Sequence, residues 1–571
     1  MRKKLKFLFL FAGLASFGLS SAQTIEEGLR CLDNEQYTKA GDIFRKLSRT
    51  QPTAANHYYL GNFYMQLERA DSVQGLYADS AKFFFDKGLQ TDPKFHLNYV
   101  GLGTYEIFNN RPGQGKILID KAVKDSKGKD AELLYRAAEA WVYYPNAADA
   151  LEANRLLDMA ISRDKNRADF YNLKGDAFML KNDGSQAANN YDQAKRVAPN
   201  SAKGYINYGN ILIRAKSYQK ALESYNEGLD KDPGYATGYR QLGELYYKAG
   251  KFDKAVESYS KYVSMSDQRP ASQYRYGAFL FLAKDYDKAI QVLNNLPESY
   301  KNIYCYRLLA YCLAEKQQPT EGLAKMEQFR NMIEPGKLMP NDHFYYGKLL
   351  IEAGKDTSMG IAMMKKSAQL DSSRFAGITD IGKKFFAAKR YFFAAEAYQS
   401  LIEAGSKSTQ DLYSLGNAYY FAKEYVKADT IFSQLLRIQP QSLMTNLFKA
   451  RCINQEKLDP DQSLGLARPY YEKFTLLAKP EDKEKYKKQL IESYMYLGSY
   501  YAFKGDPPQA HANWNKVLEL DPENTSAKTG LLIKDAKGAD ALRKSGGDAQ
   551  PPAKNTSGTK KTVTDLPNSK Q

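Results

Sequence analysis

Histidine, tryptophan and cysteine are nearly missing from this 571-residue sequence, which has four His, two Trp and four Cys. The four His (His57, His96, His343, His511) stand far apart, and none falls in a His-Glu-x-x-His pattern or a metal-like pair. No Gly-x-Ser-x-Gly nucleophile elbow occurs. Gly113-Gln-Gly115-Lys116 lacks the hydroxyl residue and upstream Gly of a phosphate loop, and Gly101-x-Gly103 opens no strand–helix unit. Carboxylates are scattered along helix faces, where solvated charge is the default. These absences argue against an enzyme, and no cofactor or metal site is expected. No Cys-x-x-Cys or Cys/His metal spacing exists. Cys305 and Cys312 lie two helical turns apart, about 10.5 Å, beyond a disulfide's reach of about 7 Å. With Cys31 and Cys452 they read as buried thiols acting as small hydrophobes.

Long apolar runs are also lacking. Phe7 to Leu19 is too short to span a membrane as a helix. It follows the basic start Met1-Arg-Lys-Lys-Leu-Lys6 and precedes Ser20-Ser21-Ala22, which predicts a cleavable secretory signal peptide over 1–22. No Cys follows that run directly, so the mature chain is expected to be soluble, unlipidated and exported. The C-terminal end carries no apolar anchor. The net charge is +17, and removing the four basic residues of the start leaves +13. That balance favours acidic surfaces, and it is equally common in Lys-rich soluble proteins.

Tyrosine, in contrast, is abundant, and small residues recur at a fixed interval. Gly175, Gly209, Gly243 and Gly277 stand 34 residues apart. Ala187, Ala221, Ala255 and Ala289 repeat the interval; Tyr191, Tyr225 and Tyr259 follow, and Pro199 and Pro233 close two units. The order Tyr239-x-x-Leu242-Gly243-x-x-Tyr246, then Ala255 and Tyr259, closely resembles the tetratricopeptide repeat (TPR). The resemblance implies an all-α solenoid, a right-handed superhelix of antiparallel helix pairs in about 13–14 repeats. In this reading Gly243 lets helix A cross helix B at Ala255, Tyr246 and Tyr259 fill the flanks, and the Pro ends helix B. One pair cannot bury its own apolar face, so pairs stack.

Following the phase outward predicts a solenoid over 23–534, with its best-kept repeats at 168–297, 375–440 and 491–522. Insertions are expected at 70–79 and 459–468. Residues 535–571, rich in Lys, Gly, Ser, Thr and Pro, are expected to be a disordered basic tail. Repeats fill nearly the whole chain and leave no room for an appended catalytic domain. The Tyr-, Lys- and Asn-rich style resembles exported proteins of the Bacteroidota.

The resemblance places the binding groove on the helix-A face. It assigns to that groove Asn210 and Arg214 of the sixth repeat, Arg240, Glu244, Tyr247 and Lys248 of the seventh, and Tyr274 and Phe281 of the eighth. From the twelfth it assigns Tyr413, Asn417, Tyr420 and Phe421. Arg214, Arg240 and Lys248 are expected to form a basic stretch; the aromatics either face a ligand or pack between helices. The Lys/Asn clamp of one TPR subclass is incomplete, because Ile206 and Tyr413 occupy the fifth place, so recognition of a free peptide C-terminus is not expected. The implied function is a non-enzymatic, periplasmic scaffold that binds a protein or peptide, in a secretion, motility or outer-membrane assembly complex. It is not expected to bind nucleic acid. A glycan- or peptidoglycan-associated factor and a periplasmic chaperone are the alternatives.

Overall fold

Each 34-residue unit folds as two helices separated by a tight turn, and the turn is as periodic as the glycines. Asn182, Lys216, Gly250 and Lys284 take positive φ of 57°, 59°, 69° and 64°. The next residue's N–H then bonds back to the helix: Asp183 to the carbonyl of Phe178 at 3.0 Å, Ser217 to Leu212 at 2.8 Å, Lys251 to Tyr246 at 2.9 Å, Asp285 to Leu280 at 2.9 Å. This is a Schellman-type end that satisfies carbonyls helix A would otherwise leave open. In many repeats helix B starts on a side-chain cap; Asp183, Asp285 and Asp506 each accept a backbone N–H of the first turn. Such caps contribute about 0.5–2 kcal/mol each. Helix B stops before its proline: Gly184–Val197 ahead of Pro199, and Tyr218–Lys231 ahead of Pro233.

The computed structural model describes residues 15–70, 75–144, 149–456 and 464–534. Most of the expected signal peptide, parts of both insertions and the C-terminal tail lie outside them. Among the described residues there are 29 α-helices and no strand, and 79% of those residues are helical. They form fourteen consecutive A/B pairs and a short closing helix, Thr525–Gly530. The chain divides into two compact units, Met1–Lys316 and Gln317–Gln571, so the boundary falls inside the ninth repeat.

The packing corrects one detail of the expected crossing. The repeat Ala residues are fully enclosed, with Ala187, Ala221, Ala255 and Ala289 at 0% exposure. What most of the glycines face, however, is an aromatic ring on helix B. A Cβ on Gly209 would stand 2.4 Å from Tyr225, and one on Gly416 2.5 Å from Phe432. Only at Gly243 are the ring and the carbonyl of Ala255 equally close, 3.2 and 3.3 Å. The glycine therefore makes room for the ring, which is the larger apolar body and the main contributor to burial. All four cysteines are free and buried, as their isolation in the sequence implied. Among the described residues no helix is long and apolar enough to cross a membrane, and no group of His, Cys, Asp or Glu is placed to hold a metal ion.

Candidate functional site

The residue after each repeat glycine opens the helix-A face, and in the fifth and sixth repeats a helix-B tyrosine bonds to it. Asp176 accepts the hydroxyls of Tyr191 at 2.6 Å and Tyr143 at 3.0 Å, while burial raises its pKa. Asn210 accepts the Tyr225 hydroxyl at 2.5 Å. Glu244 instead receives a two-point contact from Arg275 of the next repeat, 2.8 and 2.5 Å. Asn210 and Glu244 thus already have partners inside the solenoid.

The expected basic stretch is also engaged. Arg214 donates to Asn182 at 3.2 Å. Arg240 pairs with Glu35 of the first repeat at 2.9 Å, about 200 residues earlier in the chain. That pair belongs to a larger closing contact in which the turn Asp33–Thr38 rests on repeats six to eight. Asp33 holds Lys203 at 2.8 Å. The side-chain Oδ1 of Asn34 accepts the N–H of Ala236 at 2.7 Å. Ala236 begins helix A of the seventh repeat, whose own N-cap residue, Tyr235, offers no side-chain bond, so the first repeat supplies the missing cap. Glu35 also accepts the Tyr262 hydroxyl and, through its carbonyl, the N–H of Asp267 at 3.1 Å. Gln36 donates to the Met265 carbonyl. Thr38 gives its N–H and hydroxyl to Asp267 at 2.8 and 2.9 Å. Arg269 lies over the Tyr37 ring, 5.2 Å from its centre. Burial and the neighbouring Glu35 push the Tyr262 phenol up to about 12. Burial, the largest single influence, works against the charges of Lys203 and Arg240, but Asp33 and Glu35 together with the surrounding tyrosines hold both pKa values up. Of the three expected cations, Arg214 and Lys248 stand exposed and neither has an ion pair among the described residues, Arg214 meeting only the neutral Asn182 and Met179.

The remaining first-unit aromatics pack between helices. Tyr247 stacks on Phe279 at 5.2 Å and takes Arg275 on its face. Tyr274 is half-buried against the core, and Phe281 contacts Tyr286 and Tyr311.

The second unit differs. Phe421 is 43% exposed and stands in a continuous aromatic ridge. Its ring lies 5.5 Å from Phe386, 5.4 Å from both Tyr391 and Tyr420, and 6.2 Å from Phe448. Tyr420 also meets Tyr425 and Phe448, and burial pushes its phenol up to about 12. Tyr413 reaches Phe432 and Phe448 from the other side. Arg451 lies over Phe448, 5.4 Å from its centre, and holds Glu492. Structure thus brings Tyr413, Tyr420 and Phe421 together and adds Tyr391, Tyr425 and Phe448, which the lining places of the repeat do not include, with Arg451, 34 residues after Asn417 and so in the ninth place of the thirteenth repeat. One signal for two of them was present: Tyr391 and Tyr425 are 34 apart and open successive B helices.

Asn417 occupies the place of Asn210, but its buried carbonyl oxygen has no hydrogen-bond partner among the described residues. The cause is one atom: the ring fifteen residues on is Tyr225 in the sixth repeat and Phe432 in the twelfth. Phe432→Tyr should restore that donor and raise stability by about 1 kcal/mol, read as a higher urea midpoint.

Comparison with known proteins places these features in context. A family model described as TPR repeat matches residues 209–250, and one described as anaphase-promoting complex, cyclosome, subunit 3 matches 248–329. No curated protein matches. Among solved structures, the C-terminal part of a TPR repeat-containing protein from Cytophaga hutchinsonii is 34% identical. It covers 45% of this chain and 99% of its own, with a TM-score of 0.33. A tetratricopeptide repeat protein from Parabacteroides merdae is 16% identical, covering 42% and 93%, TM-score 0.29. A thermophilic TPR protein from Thermus thermophilus is 21% identical, covering 33% and 99%, TM-score 0.28.

Proposed function

The chain belongs to the tetratricopeptide repeat family, whose members are generally non-enzymatic scaffolds that bind protein partners, and from that premise we propose that it is an exported adaptor of a bacterial cell envelope which seats a partner segment on the aromatic helix-A face of repeats eleven to thirteen. One observation carries the choice of face: Phe421 is a large ring left 43% exposed within a ridge of packed aromatics. Rings held rigid by their neighbours lose little entropy on binding and dominate interface energetics. The equivalent basic face in the first unit already carries contacts to the chain's own first repeat. Export rests on the basic start, the apolar run and the small residues over 1–22, and a secretion, motility or outer-membrane assembly is the setting we propose for the adaptor.

A photo-crosslinking side chain at Phe421, expressed in cells of the native host type, tests this reading. A single discrete adduct in the periplasmic or membrane-associated fraction is the expected result. Phe421→Ala should weaken capture of that partner by tenfold or more, because truncating an aromatic hot spot costs about 2 kcal/mol or more. Adducts forming only from other faces, or a ladder of unrelated clients, would overturn it.

A further inference from the structure

The turn between the helices of the first repeat carries an acid where its counterparts carry Asn, Lys, Gly or Gln. In the fifth, sixth, seventh and eighth repeats the left-handed place between the helices holds Asn, Lys, Gly and Lys; in the first repeat it holds Glu35, at φ 57°. Lys and Gln hold the same conformation at other turns, Lys216, Lys284, Gln317, Lys389 and Lys423 among them, so it is the negative charge and not the backbone that sets Glu35 apart. Glu35 has a distant receptor: the Arg240 guanidinium on one carboxylate oxygen and the Tyr262 hydroxyl on the other. Asn34 beside it caps a helix of the seventh repeat that has no cap of its own.

We infer that the helix-A face of repeats six and seven is a receptor for an acidic turn, an Asx residue followed by Glu, and that the first repeat is its built-in occupant, displaced when a protein partner offers a turn of the same chemistry. The inference rests on the reading that helix-A faces in this protein bind protein segments. Two features make displacement practicable. The contact is polar and is made by turn residues, whereas the apolar core of the first repeat (Phe44 and Leu47, with Leu60 and Phe63) is shared with the second repeat alone. Repeats also contact mainly their sequence neighbours, so a solenoid can open at one seam while every repeat keeps its own packing. Charge complementarity fixes the ligand chemistry: Lys203 and Arg240 take acids, and the free N–H at Ala236 takes an Asx oxygen.

The test uses the full mature chain. Dyes at Lys39→Cys and Ser264→Cys flank the closing contact, and both positions are exposed while the native thiols are buried. Asn34→Ala with Glu35→Lys should lower energy transfer between the dyes without loss of helical circular dichroism. A fluorescent peptide with the sequence of residues 29–40, carrying Cys31→Ser, should then bind this variant at least tenfold more tightly than wild type. Adding Arg240→Glu to the variant, or replacing the peptide's Asp33, Asn34 and Glu35 by Ala, should remove that binding. Should the double substitution disturb the first repeat itself, Asp267→Lys loosens the same contact from the other side and should give the same loss of transfer. Unchanged energy transfer in both variants overturns the inference, as does an opened variant that ignores the peptide. Crosslinking at Phe421 lies in the second unit and reads independently, so failure here and failure of the scaffold reading are told apart.

Discussion

At pH 8, Cys312 and Cys452 should react with a thiol reagent about a thousandfold more slowly than an exposed cysteine, and both should become fully reactive in denaturant. The thiolate is the reacting species. Burial pushes both thiols from 9.0 up to about 12, and both residues are 0% exposed. Each unit of upward shift lowers the thiolate fraction about tenfold below the ordinary pKa, before any loss of access is counted. The same shift makes stability depend on pH. A group that holds its proton more tightly when folded contributes fully below the unfolded value and loses that contribution as pH rises through the folded one. Stability should therefore be flat near neutrality and fall from about pH 9 towards 12. The Tyr262, Tyr420 and Tyr501 phenols, also raised to about 12, join the decline above pH 10. Rapid modification at pH 8 without denaturant, or a melting temperature unchanged between pH 8 and 11, would contradict this picture.

Much of the fold was legible because the repeat writes the same packing problem many times. Gly209, Ala221 and Tyr225 are one contact, and each makes sense only with the others; a period of 34 shows three residues as one device. Even so, the spacing showed only part of the contact, the part that holds at Gly243. Spacing set Gly243 against Ala255, whereas the helix pitch brings the bulk of the following ring over most of the glycines. The turn geometry was invisible for the opposite reason. Lys216 and Lys284 adopt the left-handed conformation without any preference for it, so residue type alone did not announce the turn.

The candidate site was less legible because a lining place on helix A says nothing about what fills the groove. Asn210 and Arg240 occupy the expected places, but Tyr225 and Glu35 have already claimed them. No periodic signal links Glu35 with Arg240, since repeat phase encodes contacts between neighbours and this one spans six units. Asn417 and Asn210 read as equivalents, and only the hydroxyl missing from Phe432 separates them. The aromatic ridge lay partly in view through Tyr413, Tyr420 and Phe421. Tyr391 and Tyr425 come from the first turns of helix B, which the family's lining places leave out, and Phe448 from a non-lining place on helix A of the thirteenth repeat.

Trp514→Ala should cost the C-terminal end of the solenoid about 3–5 kcal/mol, the range for emptying a large aromatic site, and leave the N-terminal unit nearly untouched. The indole is 3% exposed and fills the gap between two glycines. A Cβ on Gly498 would stand 2.3 Å from it, and one on Gly530 2.6 Å. It therefore joins helix A of the last repeat to the closing helix Thr525–Gly530, and around it gather Ala502, Ala510, Val517 and Ala527. A globular domain would spread such a loss over one cooperative transition. A solenoid end has a neighbour on one side only, so the loss should appear as local opening. Hydrogen exchange should accelerate across residues 487–530 and stay unchanged in the repeats around Trp141, which is 4% exposed in the first unit. The chain's two tryptophans thus report on one unit each, and in this variant the remaining fluorescence transition, from Trp141, should keep its wild-type midpoint. Trp514→Phe separates packing from hydrogen bonding. The indole N–H finds no acceptor among the described residues, so a phenyl ring keeps most of the contact, sheds an unsatisfied donor and should recover most of the loss. A fall in the Trp141 midpoint equal to that at the C-terminal end would mean that the two units unfold as one.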